Sequence, residues 1–150
     1  MVDLDGLAET TVRYVMKLGA SACDVLTADS KFTSAEIEKG SMKQSSQIRD
    51  PGVGIRAFKN GCSGFSFCTG HDRKVIHKIA ELAVSQARAG TPDPDFKGLP
   101  EKMKPAKVAG LFERRIPELE ADDIVEMAIS LSDNAGDDKR ITSVNAGVTI

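Results

Sequence analysis

Tryptophan is absent from this 150-residue chain, and tyrosine, histidine and cysteine are scarce, with one, two and three residues respectively. The three cysteines show no C-x-x-C spacing, which favours reduced thiols over a disulfide framework. No segment approaches the roughly 20 apolar residues of a membrane-spanning helix, and the acidic start of the chain is unlike a secretory signal. We therefore expect a cytoplasmic protein that does not contact a membrane.

An excess of one charge sign is also missing. The 20 basic and 22 acidic residues leave a net charge of −2, which provides no global field for nucleic acid or an anionic membrane. The charges are nevertheless segregated, because residues 97–115 hold six basic and two acidic side chains, whereas residues 118–138 hold eight acidic and no basic ones. Such blocks are usually solvated faces. Contact of one block with a partner subunit is the alternative interpretation.

The length and the hydrophobic content of 41% predict a single domain over residues 1–150 with one core. The spacing of apolar residues predicts three helices, of which the first ends at Leu18-Gly19 and the second runs from Asp72 to Gly90. Ile124, Met127, Ala128 and Leu131 mark the third helix, which has Asp122 and Asp123 in its first turn. Between the last two helices, "TPDPDFKGLPEKMKP" predicts an ordered connection anchored by Phe96 and Leu99.

Alternating residues predict strands around these helices. "ACDVLTAD" is interpreted as a short strand, and Phe32 to Gln47 as a long strand that accepts an extended peptide by edge pairing. "RITSVNAGVTI" predicts a strand still running at Ile150, which suggests a longer native chain. The element order α-β-β-β-β-α-α-β predicts an α/β (α+β) fold. We expect a mixed, mainly antiparallel sheet with a central hairpin, packed by about three helices.

The segment "PGVGIRAFKNGCSGFSF", residues 51–67, predicts the central hairpin, because Asn60-Gly61 suits a type I′ turn. The pairs that follow from a two-residue loop are Phe58 with Ser63, Arg56 with Phe65, and Gly54 with Phe67. The opposite face carries Val53, Ile55 and Ala57. Both faces are therefore largely apolar and need a covering layer. Gly54 is expected to leave room for the ring of Phe67.

Two interpretations of these aromatic residues stay open: they lie in a core that the chain itself covers, or they contact a substrate or a partner. The candidates for such a contact are Arg56, Phe58, Phe65 and Phe67. The backbone geometry is assigned to Gly52, Gly54, Asn60, Gly61 and Gly64. "SGFSF" beside Arg56 distantly resembles the aromatic strand of RNA-recognition modules, but the negative net charge argues against nucleic-acid binding.

The soft metal ligands form one group, with the spacing C-x5-C-x2-H-x5-H over Cys62, Cys68, His71 and His77. The two histidines are six residues apart, which is about 240° around a helix. The two cysteines share the hairpin face with Val53, where cysteine behaves as a small apolar residue. We therefore expect neither a metal site nor a catalytic residue in this chain.

"GVGIRAFKNGCSGFSF", preceded by "EIEKG" and followed by a capped helix, resembles the N-terminal domain of the TldD/PmbA family, once called modulators of DNA gyrase. "GTPDPDFKGLP" and "DKRITS" extend the resemblance and are more similar to the PmbA (TldE) branch. The resemblance implies the N-terminal domain of a longer chain, in a cytoplasmic metallopeptidase system that acts on peptides and unfolded proteins. It also implies a homodimer, or a heterodimer with a TldD-like subunit.

Zinc in that family is bound by a His-Glu-x-x-x-His motif, which this chain lacks. The resemblance therefore implies that zinc belongs to the family's catalytic domain or to a partner chain. The part played by this chain would be that of a scaffold, a subunit contact or a wall of the substrate chamber. The alternative is a free-standing nucleic-acid or protein binding module without catalysis.

Overall fold

The computed structural model describes residues 2–101 and 103–150, which form three α-helices and a four-stranded antiparallel sheet. The elements in chain order are α1 (Leu4–Lys17), β1 (Ala22–Glu38), β2 (Ser41–Lys59), β3 (Cys62–Thr69), α2 (Arg73–Ala89), a 3-10 helix (Ile116–Glu118), α3 (Ala121–Gly136) and β4 (Asn145–Thr149). The strand order in the sheet is β3-β2-β1-β4. The predicted α+β class, the central hairpin and the number of helices are confirmed.

The predicted division of the strands before the hairpin is wrong. The chain does not break between a short strand and a long one, but runs through β1 and turns back at Lys39-Gly40. Both turn residues have positive φ, 52° and 74°, as a tight hairpin loop requires. The segment from Phe32 to Gln47 is therefore not one strand: its β1 part pairs with β4 over residues 34–38, whereas the register of β2 with β3 begins only at Gly52, so acceptance of a peptide along the start of β2 stays a prediction.

The chain divides into two compact units, and each has its own apolar cluster instead of the single core expected from the length. The first unit comprises Met1–Ser30 and Asp50–Met103, and the second comprises Lys31–Arg49 and Lys104–Ile150. None of the described helices is long and apolar enough to cross a membrane.

In the first unit, α1 and α2 cover the hairpin from one side. The fully buried side chains at the centre of this cluster are Val15, Val53, Ile55, Ile76 and Val84. Asp72 caps α2 by accepting hydrogen bonds from two backbone N–H groups, at 2.7 and 3.2 Å, as its position predicts. Tyr14 on α1 donates to Glu81 on α2 at 3.0 Å, and this bond raises the pKa of Tyr14 above its usual value.

In the second unit, α3 packs on β1 and β4. The buried side chains of this cluster are Ala35, Ile37, Ile124 and Ala128. The predicted helix is present, and its buried stripe of Ile124, Ala128 and Ser132 follows an i, i+4, i+8 pattern that leaves Met127 and Leu131 about half exposed. The paired strand β4 runs antiparallel to residues 34–38 of β1, in a register that sets Ala35 opposite Val148.

Candidate functional site

The hairpin of β2 and β3 has the register that its sequence predicts. Phe58 pairs with Ser63, Arg56 with Phe65, and Gly54 with Phe67. The two loop residues, Asn60 and Gly61, have φ angles of 52° and 76°. Such a turn matches the right-handed twist of the strands, which explains why Asn-Gly specifies it.

The inner face of the hairpin is buried, and Gly64 brings β3 against α2. A Cβ atom at Gly64 would lie 2.1 Å from the carbonyl oxygen of Ala83 and 2.5 Å from the backbone nitrogen of Ala87. Only glycine therefore permits this approach of strand and helix. The helix also supplies a hydrogen-bond acceptor for the strand, because the backbone N–H of Phe65 donates to the side-chain oxygen of Gln86 at 3.0 Å.

The outer face of the hairpin carries two phenylalanines that no described part of the chain covers. Phe65 is 57% exposed and Phe67 is 70% exposed, with ring centroids 6.1 Å apart. Leu26, two residues beyond Asp24 on the same face of β1, is also largely exposed. We call this surface the open aromatic face and define it by Asp24, Leu26, Gly54, Arg56, Phe65 and Phe67.

Gly54 makes room for an aromatic ring, although not for the ring expected. Two carbons of the Phe65 ring lie 3.7 and 3.8 Å from the position that a Cβ atom of residue 54 would take. Phe65 reaches Gly54 diagonally across the strand pair, because its direct partner is Arg56. The expectation that Gly54 accommodates Phe67 is therefore wrong.

Arg56 is paired with Asp24 across β1 and β2. Its Nε lies 3.1 and 3.3 Å from the two carboxylate oxygens, and an Nη group completes a bidentate contact. The hydrogen bond to Asp24 raises the pKa of Arg56 above its usual range. Both side chains are about half exposed, so the pair contributes about 1 kcal/mol at most to stability. Its main effect is to neutralise the charge beside the aromatic rings.

Phe58, the remaining contact candidate, lies on the same side of the hairpin as Arg56, whose guanidinium carbon is 5.4 Å from the ring centroid, but it is covered. It is 5% exposed and stacks on Phe96, with ring centroids 4.4 Å apart and planes inclined by 3°. The ring is thus covered by the connection that follows α2, and its position does not support a contact with substrate or partner. Phe96 is the anchor that the sequence predicts for this connection.

The structure does not bring the soft metal ligands together. His71 Nε2 lies 2.9 Å from the carbonyl oxygen of Ala28, and the ring of His77 stacks on Tyr14 at 3.9 Å. Burial raises the pKa values of the Cys23 and Cys68 thiols, which disfavours the thiolate that binds metals. Within residues 2–101 and 103–150, no three His, Cys, Asp or Glu side chains are placed to hold a metal ion. These residues therefore do not fit the zinc of a metallopeptidase.

Asp24 and Leu26 are members of the open aromatic face that the sequence alone did not indicate. The sequence predicts "ACDVLTAD" as a short strand but does not show which strand lies beside it. The pairing of β1 with β2 was the missing information. Charge offered a signal, since an acidic residue on one strand and Arg56 on the next are suited to cross-strand pairing.

The fold and the exposed surface define an α+β domain that presents an aromatic sheet face to solvent. Residues 23–87, which include all of this face, match the family model described as PmbA/TldA metallopeptidase domain 1. This match confirms the resemblance to the N-terminal domain of the TldD/PmbA family that was drawn from the hairpin and its flanking segments. No curated protein sequence matches the chain.

Several solved structures share the fold. A candidate modulator of DNA gyrase from Bacteroides thetaiotaomicron superposes with a TM-score of 0.77 at 24% identity, over 97% of this chain and 34% of its own. TldE from Thermococcus kodakarensis superposes with a TM-score of 0.80 at 18% identity, over 95% of this chain and 33% of its own. A candidate modulator of a DNA gyrase from Thermotoga maritima superposes with a TM-score of 0.67 at 19% identity, over 97% of this chain and 32% of its own. The chain thus spans about a third of the length of these structures.

Proposed function

We propose that this chain is a non-catalytic first domain of a PmbA/TldD-type peptidase assembly, on the TldE-like side, and that it lines the chamber for peptide or unfolded-protein substrates. The observation that carries the proposal is the open aromatic face. Its two exposed phenylalanines belong to the segment that matches the family's first domain. TldE, among the structures of the same fold, supports the choice of branch.

The open aromatic face has the chemistry for binding unfolded chains without sequence selection. Exposed rings at 6.1 Å from each other offer a continuous apolar surface to any apolar side chain that lies across them. The charges beside the rings, Arg56 and Asp24, neutralise each other and so select neither acidic nor basic peptides. A surface of this kind binds many segments weakly, as a processing chamber requires.

The face is also rigid, which limits the entropy lost on binding. Gly64 lets α2 lie directly behind β3, and Gln86 holds the backbone N–H of Phe65. The strand that carries both rings is therefore fixed before a peptide arrives, so less conformational freedom is lost at the interface.

The proposal assigns zinc and catalysis to a later part of the native chain or to a TldD-like partner, because the described residues offer no set of metal ligands. Its dimerisation with a TldD-like subunit is part of the proposal. The family match and the TldE fold support such an assembly.

The test is a steady-state cleavage assay of the native full-length protein with its TldD-like partner, on a labelled unfolded casein. A variant with Phe65→Ser and Phe67→Ser should raise KM by about tenfold and leave kcat within about twofold, because it removes binding shared by substrate and transition state. Leu82→Ser, on an exposed position of α2, is the matched control and should change neither constant.

An unchanged KM in the phenylalanine variant would refute the chamber-wall role. Loss of kcat together with loss of the assembly, measured by light scattering, would assign the face to subunit contact instead. Urea unfolding of each variant verifies that the domain remains folded, so that neither result reflects a destabilised hairpin.

A further inference from the structure

Residues 104–116 form a basic arm whose apolar side chains are uncovered. Every residue of the arm is exposed, and Leu111 and Phe112 reach 77% and 72%. The arm carries four basic side chains, Lys104, Lys107, Arg114 and Arg115, against one acidic side chain, Glu113. A leucine and a phenylalanine beside two arginines form a surface that is both apolar and positively charged.

Within the described residues, the arm makes only local polar contacts. The backbone N–H of Arg115 donates to a side-chain oxygen of Glu113 at 3.2 Å, and the Arg115 side chain forms an ion pair with the same carboxylate at 3.6 Å. The backbone N–H of Ile116 donates to Glu113 at 3.2 Å. These contacts shape the end of the arm and leave Leu111 and Phe112 largely exposed.

A complementary surface lies on the outer side of α3. Leu119, Met127 and Leu131 form the apolar floor of a shallow groove of about 580 Å³, and Asp123 and Glu126 lie at its rim. Met127 and Leu131 are 45% and 50% exposed. We call this the α3 groove. It combines apolar surface with negative charge, which is the reverse of the charge on the arm.

The charge difference between the two segments is large. Residues 118–138 hold eight acidic and no basic side chains. Among the described residues, two of these carboxylates form ion pairs with basic residues outside the segment. Glu120 pairs with Lys31 at 3.6 Å, and Asp138 pairs with Arg140. The arm and the groove thus remain exposed and unneutralised by each other in the single chain.

We propose that the arm of one copy docks into the α3 groove of a second copy. Because each chain carries both surfaces, a two-fold pair satisfies two contacts at once, as in an isologous dimer. Phe112 and Leu111 would bury against Met127 and Leu131, while Arg114 and Arg115 meet Glu126 at the rim. Apolar anchors surrounded by complementary charges are the usual composition of such an interface. This inference does not depend on the proposed peptidase role.

The test is sedimentation equilibrium of this chain at concentrations up to the order of 100 µM, where weak pairs of small interfaces associate. We expect a dimer of twice 16.0 kDa that weakens between about 0.1 M and about 1 M salt, because its rim is ionic. Phe112→Ser should weaken the dimer roughly tenfold or more, as loss of a central aromatic anchor does.

A charge exchange separates this contact from a general effect of folding. Arg114→Glu with Arg115→Glu should weaken the dimer, and so should Glu126→Lys alone. The chain that carries all three changes should regain most of the affinity, because both contacts of the pair are then reversed together. Glu9→Lys, an equal charge reversal on an exposed position of α1, is the control and should have no effect.

Zero-length carboxyl–amine cross-linking of mixed ¹⁴N and ¹⁵N copies gives the direct reading. Links between Lys104 or Lys107 and Glu126 that join a light to a heavy peptide support the proposal. Links confined to one isotope would show the arm on its own helix and overturn it. A monomer at every concentration, or a dimer that none of these variants changes, would also overturn it.

Discussion

Gly64 is the residue on which the contact between α2 and the hairpin most directly depends. The strand and the helix approach so closely there that a single added carbon would overlap two backbone atoms of the helix. A backbone atom cannot rotate away as a side chain can, so a larger residue must push the helix off the strand. The same close approach allows Gln86 to bind the N–H of Phe65.

Gly64→Val should lower the free energy of unfolding by about 3 kcal/mol or more, or prevent folding, because overpacking displaces α2 from the core. Gly52→Ala in the same hairpin is the matched control, since its added carbon would meet only a carbonyl oxygen at 3.4 Å and the change should cost less than about 1 kcal/mol. Urea unfolding followed by circular dichroism measures both. Equal stability of the two variants would show that the close contact does not limit the fold.

Among the elements, the connection that follows α2 packs against the tip of the hairpin and holds it in place. Phe96 stacks on Phe58, and the backbone N–H of Asp93 donates to the carbonyl oxygen of Gly61 at 2.8 Å. The connection has neither helix nor strand over residues 91–101, yet it covers the one outward phenylalanine that is buried. An extended segment rich in proline loses little entropy when it is fixed in this way.

A double-mutant cycle of Phe58→Leu and Phe96→Leu should give a coupling energy of about 0.5–1.5 kcal/mol, since the two rings are stacked at 4.4 Å. Phe67→Leu, combined with Phe58→Leu, is the control and should be additive, because its ring neighbour is Phe65. The free energies of unfolding come from the midpoints of urea unfolding curves whose m-values are the same for all variants. Additivity of the first pair within error would mean that the stacking is not maintained in solution.

At the scale of the whole molecule, charge and exposure separate the two interpretations of the aromatic residues. Phe65 and Phe67 are surface residues, whereas Phe58 is buried, so the chain presents two aromatic side chains on a strand as nucleic-acid modules do. The surrounding charge differs, because the net charge is −2 and Arg56 is held by Asp24. The cation beside the rings, Arg56, is therefore already paired with a carboxylate when a phosphate group approaches.

We expect no saturable binding of a fluorescent single-stranded oligonucleotide at physiological salt, measured by anisotropy. Asp24→Asn releases Arg56 and should produce at most weak binding that falls with rising salt. A single phosphate contact makes the logarithm of the affinity fall with the logarithm of the salt concentration with a slope of about −1. Tight, salt-dependent binding by the unaltered chain would instead favour a nucleic-acid module over the peptidase assembly.

Much of the fold was predictable because its signals are local. Asp72 caps α2 with its own side chain, and Gly19, with φ of 94°, ends α1 at the predicted stop. The turn at Lys39-Gly40 was missed because lysine rarely adopts positive φ and so gave no turn signal. Helical periodicity predicts α3 itself, but it does not show which apolar positions a strand will cover, and Met127 and Leu131 lie outside the buried stripe.

The sequence by itself determined the hairpin, its register and its two apolar faces, since a two-residue loop and a side-chain period of two leave no other arrangement. It also carried the family resemblance, which residues 23–87 confirm. Only the tertiary structure decided which face is covered. Burial depends on where distant helices pack, and α1 and α2 lie against Val53 and Ile55, leaving Phe65 and Phe67 in solvent.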